Sequence, residues 1–318
     1  MTAIIGISAH ALPVIANAQT YPSKPIRIVI PFPASGGTDV IARTVQPKMT
    51  EALGQTLILD NRSGANGNVG TEIVARSAPD GYTLLLNGSG TLAINPGLYA
   101  KLPYDSIKDF APVSIMVLQP SVLVVHPSLP ARNVKELIVL AKSKPGQLNF
   151  ASSGSGSISH LAAEVFSMMG GIQMVHVPYK GAGPAMVDLV AGQVQVNFGG
   201  SPSVMPHVKS GRLRALGVTT AKRVTATPEL PTIAEAGLPG YEATGWYGLL
   251  APAGTPDAII SRLNQVMIAT LQNADIRDKL VGLGLEVSTS TPQQFTDFMK
   301  SEIAKYTKVI KAANVKVD

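Results

Sequence analysis

Two stretches rich in glycine and hydroxyl residues are the places where this chain has the chemistry to bind an anion. The first, PFPASGGTDVIAR, covers residues 31–43, and the second, FASSGSGSISHLAAE, covers residues 150–164. In each, a short apolar run precedes the small residues and a helix-like pattern follows them. The first turn of a helix carries unpaired N–H groups and a partial positive charge, and glycine lets a ligand approach its backbone closely. The two stretches therefore predict either an anion-binding site without charged side chains or, alternatively, two simple helix caps.

Motifs of catalysis and cofactor binding are absent from the sequence. The nucleophile pattern G-x-S-x-G does not occur, and without a Gly-Lys dipeptide there is no phosphate loop. Gly64, Gly67 and Gly70 are spaced three and three, which does not match the dinucleotide pattern G-x-G-x-x-G. The five histidines form no H-E-x-x-H pair, a pattern typical of zinc sites. We therefore expect no enzyme activity, no cofactor and no metal.

Three isolated polar residues near the two stretches have both a structural and a chemical interpretation. His160 is expected to pack or cap, with ligand contact as the alternative. Lys180 in PYKGAG is expected to be solvated at the rim of a cleft rather than to form a Schiff base. Asp39 is interpreted as a cap or loop organiser, because the first turn of a helix stabilises a carboxylate and no second carboxylate marks a catalytic pair.

The composition is that of a globular protein with a large core. Of the 318 residues, 45% are hydrophobic and 14% are charged, and there is no cysteine. Disulfides, thiolate metal sites and cysteine nucleophiles are therefore excluded. The net charge of +6 comes from dispersed Lys and Arg residues, without the stripe or motif that nucleic-acid binding requires. A mildly basic protein of this kind suits an anionic small molecule.

The N-terminal residues 1–18 have the pattern of a signal peptide. They are small and apolar and end in Ala16-Asn17-Ala18, which fits a small-x-small cleavage site before Gln19. A basic n-region is missing, since no Lys or Arg precedes Lys24, so we interpret the start as shortened or misassigned. No later segment reaches the roughly 18 apolar residues of a membrane span. We therefore expect a soluble, exported mature protein.

Strand-like and helix-like runs alternate along the rest of the chain. IRIVIPF, TLILDN and TLLLNG are predicted strands separated by helical patterns, and this order favours a parallel sheet with helices on both faces. A second unit with the same alternation begins at SVLVVHP, and amphipathic helices are predicted over residues 257–273 and 292–313. Two α/β domains would leave a cleft in which a ligand binds beyond the carboxyl ends of the strands.

Seven strings, in this order, resemble the periplasmic substrate-binding proteins of tripartite tricarboxylate transporters, which are called Bug proteins. They are YPSKPIRIVIPFPASGGTDVIAR, NRSGANGNVGTEIVARSAPDGYTLL, SHLAAEVF, VPYKGAGPAMVDLVAGQV, SGRLRALGVTTAKR, LPTIAEAGLPGY and GWYGLLAPAGTP. Each string alone is loosely specific, but seven in order identify the chain as a member of this family. The resemblance extends over about residues 21–317.

The resemblance implies an α/β fold with two domains, the Venus-flytrap arrangement of type II periplasmic binding proteins, with a mostly parallel central sheet in each domain. Domain 1 would comprise residues 19–120 and 244–318, and domain 2 residues 121–243. The ligand cleft would lie between them, and the hinge crossovers near residues 119–122 and 242–246.

The resemblance also implies the ligand, the partner and the location of the protein. A small organic carboxylate, either a di- or tricarboxylate or an aromatic acid, would be held by backbone amides and hydroxyls of a first loop (residues 32–39) and a second loop (residues 152–157). The expected ligand-binding residues are Phe32, Pro33, Ala34, Ser35, Gly36, Gly37, Thr38, Asp39, Ser152, Ser153, Gly154, Ser155, Gly156, Ser157, His160, Tyr179, Lys180, Phe198, Gly199, Gly200, Ser201 and Trp246. A monomer in the periplasm would deliver the ligand to a membrane permease, or alternatively present its closed form to a signalling receptor.

Three departures from the family pattern bear on the ligand. Ala34-Ser35-Gly36 stands where the first loop usually reads Pro-Gly-Gly, and an uncharged run follows Val194 where acidic residues are common. Gly199 is expected to open space that a side chain often fills. Because these changes alter the volume of the cleft and remove negative charge, we expect an organic acid that lacks an amino group.

Overall fold

The computed structural model describes residues 21–316 of the chain. The predicted signal peptide and its cleavage site lie outside the described residues. Within them, none of the helices is both long and apolar enough to cross a membrane.

The chain alternates between strands and helices, as the sequence predicts. The strands are β1 (Ile26–Ile30), β2 (Leu57–Asn61), β3 (Thr83–Gly88), β4 (Phe110–Gln119), β5 (Ser121–Val125), β6 (Asn149–Ser152), β7 (Val175–Pro178), β8 (Val196–Gly200), β9 (Arg214–Val218), β10 (Gly245–Pro252) and β11 (Glu286–Val287). The helices are α1 (Gly37–Leu53), α2 (Asn68–Ala75), α3 (Asn95–Leu98), α4 (Val134–Ser143), α5 (Ile158–Gly170), α6 (Ala182–Val190), α7 (Ser201–Lys209), α8 (Ile233–Ala236), α9 (Asp257–Gln272), α10 (Ala274–Gly282) and α11 (Pro292–Ala312). A 3-10 turn (Ala65–Gly67) precedes α2, and a π-helical turn (Gly90–Ile94) precedes α3.

The strands form two sheets, which confirms the predicted α/β architecture with two domains. The first sheet has the order β11-β4-β10-β3-β1-β2 and the second the order β7-β6-β8-β5-β9. In the first, β1 is parallel to β2 and β3, whereas β10 is antiparallel to β3 and β4, and β11 is antiparallel to β4. In the second, β6 is parallel to β7 and β8, whereas β5 is antiparallel to β8 and β9.

The sheets are therefore mixed, and the expected predominance of parallel pairing is wrong. The reason lies in how the chain passes between the sheets. A strand followed by a helix, such as β1 or β6, ends at the edge that faces the other domain. A strand that arrives from the other domain, β5 or β10, begins at that edge and so runs against its neighbours.

The chain crosses between the sheets twice. β4 ends at Gln119 and β5 begins at Ser121, and the return leads from the end of β9 at Val218 to the start of β10 at Gly245. Below, domain 1 denotes the part that carries β1–β4, β10 and β11, and domain 2 the part that carries β5–β9. The residue limits given above for the two domains stay a prediction.

Helix α11 packs behind the second crossover and joins the cores of the two domains. Phe295 and Tyr306 on α11 are fully buried, as predicted for the apolar face of this helix. The ring of Phe295 stands edge-on to Trp246 at 5.4 Å, and the same cluster continues to Tyr241 in domain 2. Burying each such aromatic side chain contributes about 1.5–3 kcal/mol, so the start of β10 is held firmly from the side opposite the cleft.

Candidate ligand-binding site

A cleft of about 510 Å³ lies between the two domains. It is lined by Phe32, Pro33, Gly36, Gly37, Thr38, Asn66, Asn87, Gly88, Ser89, Gly90, Thr91, Ile94, Gln119, Ser153, Gly154, Ser155, Gly156, Ser157, Ile158, Trp246 and Tyr247. Among the described residues, no Lys, Arg, His, Asp or Glu lines it. An anion in this cleft is therefore recognised by hydroxyls, amides and helix dipoles rather than by a counter-charge.

The first loop presents the start of α1 to the cleft. Gly36 occupies the N-cap position in an extended conformation and has no side chain to cap the helix. The N–H groups of the first turn, beginning at Gly37 and Thr38, are therefore available to a ligand, at the positive end of the helix dipole. All three residues line the cleft.

Asp39 holds the first loop in this shape from beneath. Its carboxylate is 1% exposed and accepts hydrogen bonds from the Ser35 N–H at 2.8 Å, from Arg43 Nε at 2.7 Å and from Asn61 Nδ2 at 3.1 Å. Burial alone would raise the pKa of this carboxyl, but the three hydrogen bonds outweigh it and hold the pKa below its usual value. Asp39 is thus an ionised loop organiser, in agreement with its interpretation from the sequence.

Ser35 adopts a conformation that usually belongs to glycine. Its φ is +64°, in the left-handed region that costs a residue with a Cβ about 1–2 kcal/mol. This is the middle position of Ala34-Ser35-Gly36, where the family pattern has its first glycine. The departure seen in the sequence is therefore a point of local strain, which the hydrogen bond from the Ser35 N–H to Asp39 sustains.

The second loop satisfies most of its own backbone donors. Ser153 N–H donates to Ser159 Oγ at 3.0 Å, and Gly154 N–H donates to Ser152 Oγ at 3.1 Å. Ser157 caps α5 by accepting from His160 N–H. Ser155, exposed at the tip, makes no hydrogen bond of its own within residues 21–316, so its hydroxyl and N–H are the loop's free donors. These hydrogen bonds fix the shape of the loop. The loop both caps α5 and lines the cleft.

Two stacked histidines support the second loop from below. The rings of His160 and His176 lie 3.6 Å apart at 11°, and His160 Nδ1 accepts the Gly156 N–H at 3.1 Å. His176 Nε2 lies 2.6 Å from Ser152 Oγ. Burial, and then the neighbouring His160, lower the pKa of His176 to about 4. His176 is therefore uncharged at neutral pH, and the stacked pair is a packing and hydrogen-bonding platform for the loop.

Two adjacent residues at the start of β10 have opposite roles. The indole of Trp246 packs against Phe295 and donates to Glu302 Oε2 at 3.3 Å, so the ring points away from the cleft. Tyr247 points the other way, because side chains alternate along a strand. Its hydroxyl lies 3.5 Å from Gln119 Oε1, and burial raises its pKa.

The turn after β3 is a third wall of the cleft. Asn87 is fully buried; its Nδ2 donates to Thr71 Oγ1 at 2.9 Å and its Oδ1 accepts the Gly88 N–H at 2.8 Å. A Cβ on Gly88 would lie 2.4 Å from the carbonyl oxygen of Trp246. Glycine is therefore required at this position so that the end of β3 can pair closely with β10.

Half of the residues predicted for the site line the cleft, and half do not. Those that line it are Phe32, Pro33, Gly36, Gly37, Thr38, Ser153, Gly154, Ser155, Gly156, Ser157 and Trp246. Those that do not are Ala34, Ser35, Asp39, Ser152, His160, Tyr179, Lys180, Phe198, Gly199, Gly200 and Ser201. Of these, Phe198, Gly199 and Gly200 line a neighbouring cavity, Lys180 is exposed, and Tyr179 donates its hydroxyl to Asp188 Oδ2 at 2.7 Å.

The expectation that Gly199 opens space is wrong. A Cβ at this position would lie 2.5 Å from both Asn197 Oδ1 and Val204 Cγ1. The glycine therefore permits close packing within domain 2 and does not enlarge the cleft.

Sequence reasoning missed several lining residues. They are Asn66, Asn87, Gly88, Ser89, Gly90, Thr91, Ile94, Gln119, Ile158 and Tyr247. The string NGSGT after β3 has the same strand–small residue–helix order as the two predicted loops, so that signal was present. Asn66 lies in SGANGN between β2 and α2, which has this order as well; its φ is +53°, and its Nδ2 donates to Asn95 Oδ1 at 3.0 Å.

A sequence model described as "Tripartite tricarboxylate transporter family receptor" matches residues 41–315. The chain belongs to this family. Its fold is that of periplasmic solute-binding proteins of this family. Among curated relatives, Protein BugT of Bordetella pertussis is 38% identical over 322 residues, covering 100% of this chain and 98% of BugT.

Solved structures of two relatives contain carboxylates. The structure titled "R. palustris Rpa4515 with adipate" is 38% identical with a TM-score of 0.75, covering 93% of this chain and 99% of that one. MatC from Rhodopseudomonas palustris with bound malate is 32% identical with a TM-score of 0.71, covering 91% of this chain and 100% of that one. The Bug-type family assignment made from the sequence is confirmed.

Proposed function

We propose that this protein captures a small organic carboxylate in the cleft and delivers it to the permease of a tripartite tricarboxylate transporter. The observation that carries the proposal is the uncharged cleft, which the uncapped start of α1 enters from one domain and the tip of the second loop enters from the other. The adipate and malate present in structures of two relatives support the ligand class.

The donors of the cleft are sufficient for useful affinity. A hydrogen bond to a charged group contributes about 1.5–3 kcal/mol. Three or four such bonds, from the first turn of α1, Ser155 and the Tyr247 hydroxyl, offset the cost of association and leave about −8 kcal/mol, which is micromolar binding. Enclosure between two domains strengthens each bond, because water is excluded.

The absence of Asp and Glu from the described lining of the cleft favours an acid without an amino group. An ammonium group would lose its hydration there without gaining a carboxylate partner, which is costly. Succinate and aspartate differ in this group alone, so the pair separates an acid-specific site from an amino-acid site.

The position of the donors supports a transport role for the protein. The first loop and the second loop belong to different domains, so a ligand that contacts both stabilises the closed arrangement. The permease would distinguish this closed form from the open one. We propose that the protein works as a monomer in the periplasm, after removal of residues 1–18.

The test is thermal unfolding of the mature chain, from Gln19 onward, with succinate, malate, adipate and aspartate. A ligand that binds only the folded state at one hundred times its Kd adds about 2.7 kcal/mol. We expect a rise in Tm with at least one acid and none with aspartate. No rise with any acid, in protein whose denatured form releases no co-purified acid by mass spectrometry, would contradict the proposal.

Two serine variants show whether the acid binds in the cleft. Ser155→Ala removes a free hydroxyl at the tip of the second loop and should weaken binding about tenfold, since one charge-assisted bond is lost. Ser143→Ala, in the last turn of α4, is the matched control in the same domain and should bind like the wild type.

A further inference from the structure

A second cavity of about 280 Å³, here called the side pocket, adjoins the cleft within domain 2. Gln119, Ser153 and Ile158 line both cavities, so the two meet beside the second loop. Ala185 and Met186 of α6 give the side pocket an apolar wall, against which methylene groups pack favourably. The pocket thus extends the cleft in the direction that the far end of a ligand held at the second loop would take.

Two almost fully buried side chains in the side pocket have oxygens without partners. Asn197 is 5% exposed and Ser121 is 3% exposed. Asn197 Nδ2 donates to the carbonyl of Ala151 at 2.9 Å, which fixes the amide so that Oδ1 remains an acceptor. Neither Asn197 Oδ1 nor the Ser121 hydroxyl hydrogen-bonds to any other residue in the described range 21–316. Both residues line the side pocket, so these oxygens can accept a hydrogen bond from an occupant of the pocket.

Gly199 allows the Asn197 amide to keep its place beside Val204. A Cβ at this position would lie 2.5 Å from both Asn197 Oδ1 and Val204 Cγ1, so a larger residue would displace the amide. The nearby helix α6 begins at Ala182 behind Gly181, which provides no side-chain cap, and Ala182 lines the side pocket. Acceptor and donor groups therefore face the same small space.

From these acceptor and donor groups we infer that the side pocket binds a hydroxyl group at the far end of an elongated acid. The inference rests on the function proposed above. The hydroxyl donates to Asn197 Oδ1 and accepts from Ser121 or from the start of α6. A methylene chain connects it, past Ile158, which lines both cavities, to the carboxylate in the cleft. The preferred ligand class is therefore a straight-chain ω-hydroxycarboxylic acid.

Calorimetric titration of the mature protein with paired acids tests this inference. Each ω-hydroxy acid from 4-hydroxybutanoate to 8-hydroxyoctanoate is compared with the unsubstituted acid of the same length. One net hydrogen bond is worth about 0.5–1.5 kcal/mol, so at least one hydroxy acid should bind about three- to tenfold more tightly than its parent. Hydroxy and parent acids of equal affinity at every length would overturn the inference.

Two variants locate the gain in the side pocket. Ala182→Leu fills its mouth from an exposed position, and Ser121→Ala removes one hydroxyl. Both should bring the hydroxy acid to within about twofold of its parent, while succinate binding is retained. The controls are Ala258→Leu, at an exposed position in the first turn of α9, and Ser106→Ala, a buried serine outside both cavities whose hydroxyl has no partner; both should keep the gain.

The outcomes separate this inference from the proposed function. If short acids bind and the hydroxyl gain survives both Ala182→Leu and Ser121→Ala, the side-pocket inference is wrong and the carboxylate site stands. If no acid binds to wild type or variants, both are wrong.

Discussion

The buried carboxylate of Asp39 organises the first loop, and its neutralisation should loosen the ligand site. In Asp39→Asn the side chain keeps its shape but has one acceptor oxygen in place of two. The three donors that now meet Asp39, from Ser35, Arg43 and Asn61, cannot all be satisfied. The new NH₂ group must face at least one of them.

The size of the effect follows from these contacts. Each hydrogen bond to the carboxylate is worth about 1.5–3 kcal/mol, but the Arg43 side chain is 56% exposed, so its pair adds at most about 1 kcal/mol. We expect the free energy of unfolding to fall by about 2–4 kcal/mol. If one or two residues of the loop must then be ordered on binding, at about 1–2 kcal/mol each, the Kd rises about tenfold or more.

Asp105→Asn is the matched control. Asp105 accepts the N–H groups of Ile107 and Lys108 at 2.9 and 3.0 Å, in a turn that does not line the cleft. Chemical denaturation should show a loss of stability in both variants. Calorimetry with the acid that binds best should show a loss of affinity only in Asp39→Asn. Wild-type affinity in Asp39→Asn, or the same loss in both variants, would refute the reasoning.

Three further predictions concern backbone strain and protonation. Ser35→Gly should raise the free energy of unfolding by up to about 1 kcal/mol, measured by urea denaturation, because glycine tolerates the φ of +64°; Ser35→Ala, which keeps the Cβ, should give no increase. The pKa of His176 is lowered from its ordinary value of 6.5 to about 4 in the folded chain. As the pH falls, the unfolded chain therefore takes up a proton at this residue before the folded chain does. Stability should be complete above pH 6.5 and decline towards pH 4, and the part of this slope due to His176 should vanish in His176→Phe; a slope unchanged by that substitution would show the assignment to be wrong. Gly88→Ala should destabilise by about 1–3 kcal/mol, whereas Gly90→Ala, where nothing lies within 4 Å of the added Cβ, should leave Tm almost unchanged; equal shifts would contradict the close approach described for Gly88.

Local patterns in the sequence predict many elements of this fold. The apolar runs predict β1, β2 and β3 within one or two residues, and the small residues after β1 and β6 predict the two loops. These features depend on hydrophobic period and helix-start chemistry, which act over a few residues. The role of Asp39 was predictable for the same reason, since its partners Ser35 and Arg43 lie four residues away on either side.

Features that depend on long-range pairing were not predictable from local patterns. The antiparallel entry of β10 between β3 and β4 joins residues more than a hundred positions apart. It decides that Tyr247 faces the cleft while Trp246 faces α11, a choice that alternation along a strand leaves open. Gly199 is a similar case, because its close contact with Val204 and Asn197 exists only once α7 is packed against β8.

The most direct test of the uncharged carboxylate site is a crystal structure of the mature protein with its best-binding acid. The account predicts carboxylate oxygens about 2.7–3.1 Å from the N–H groups of the first turn of α1, with the Ser155 hydroxyl closing from the other domain. A carboxylate held instead by a Lys or Arg side chain, or an acid bound outside the cleft, would contradict it.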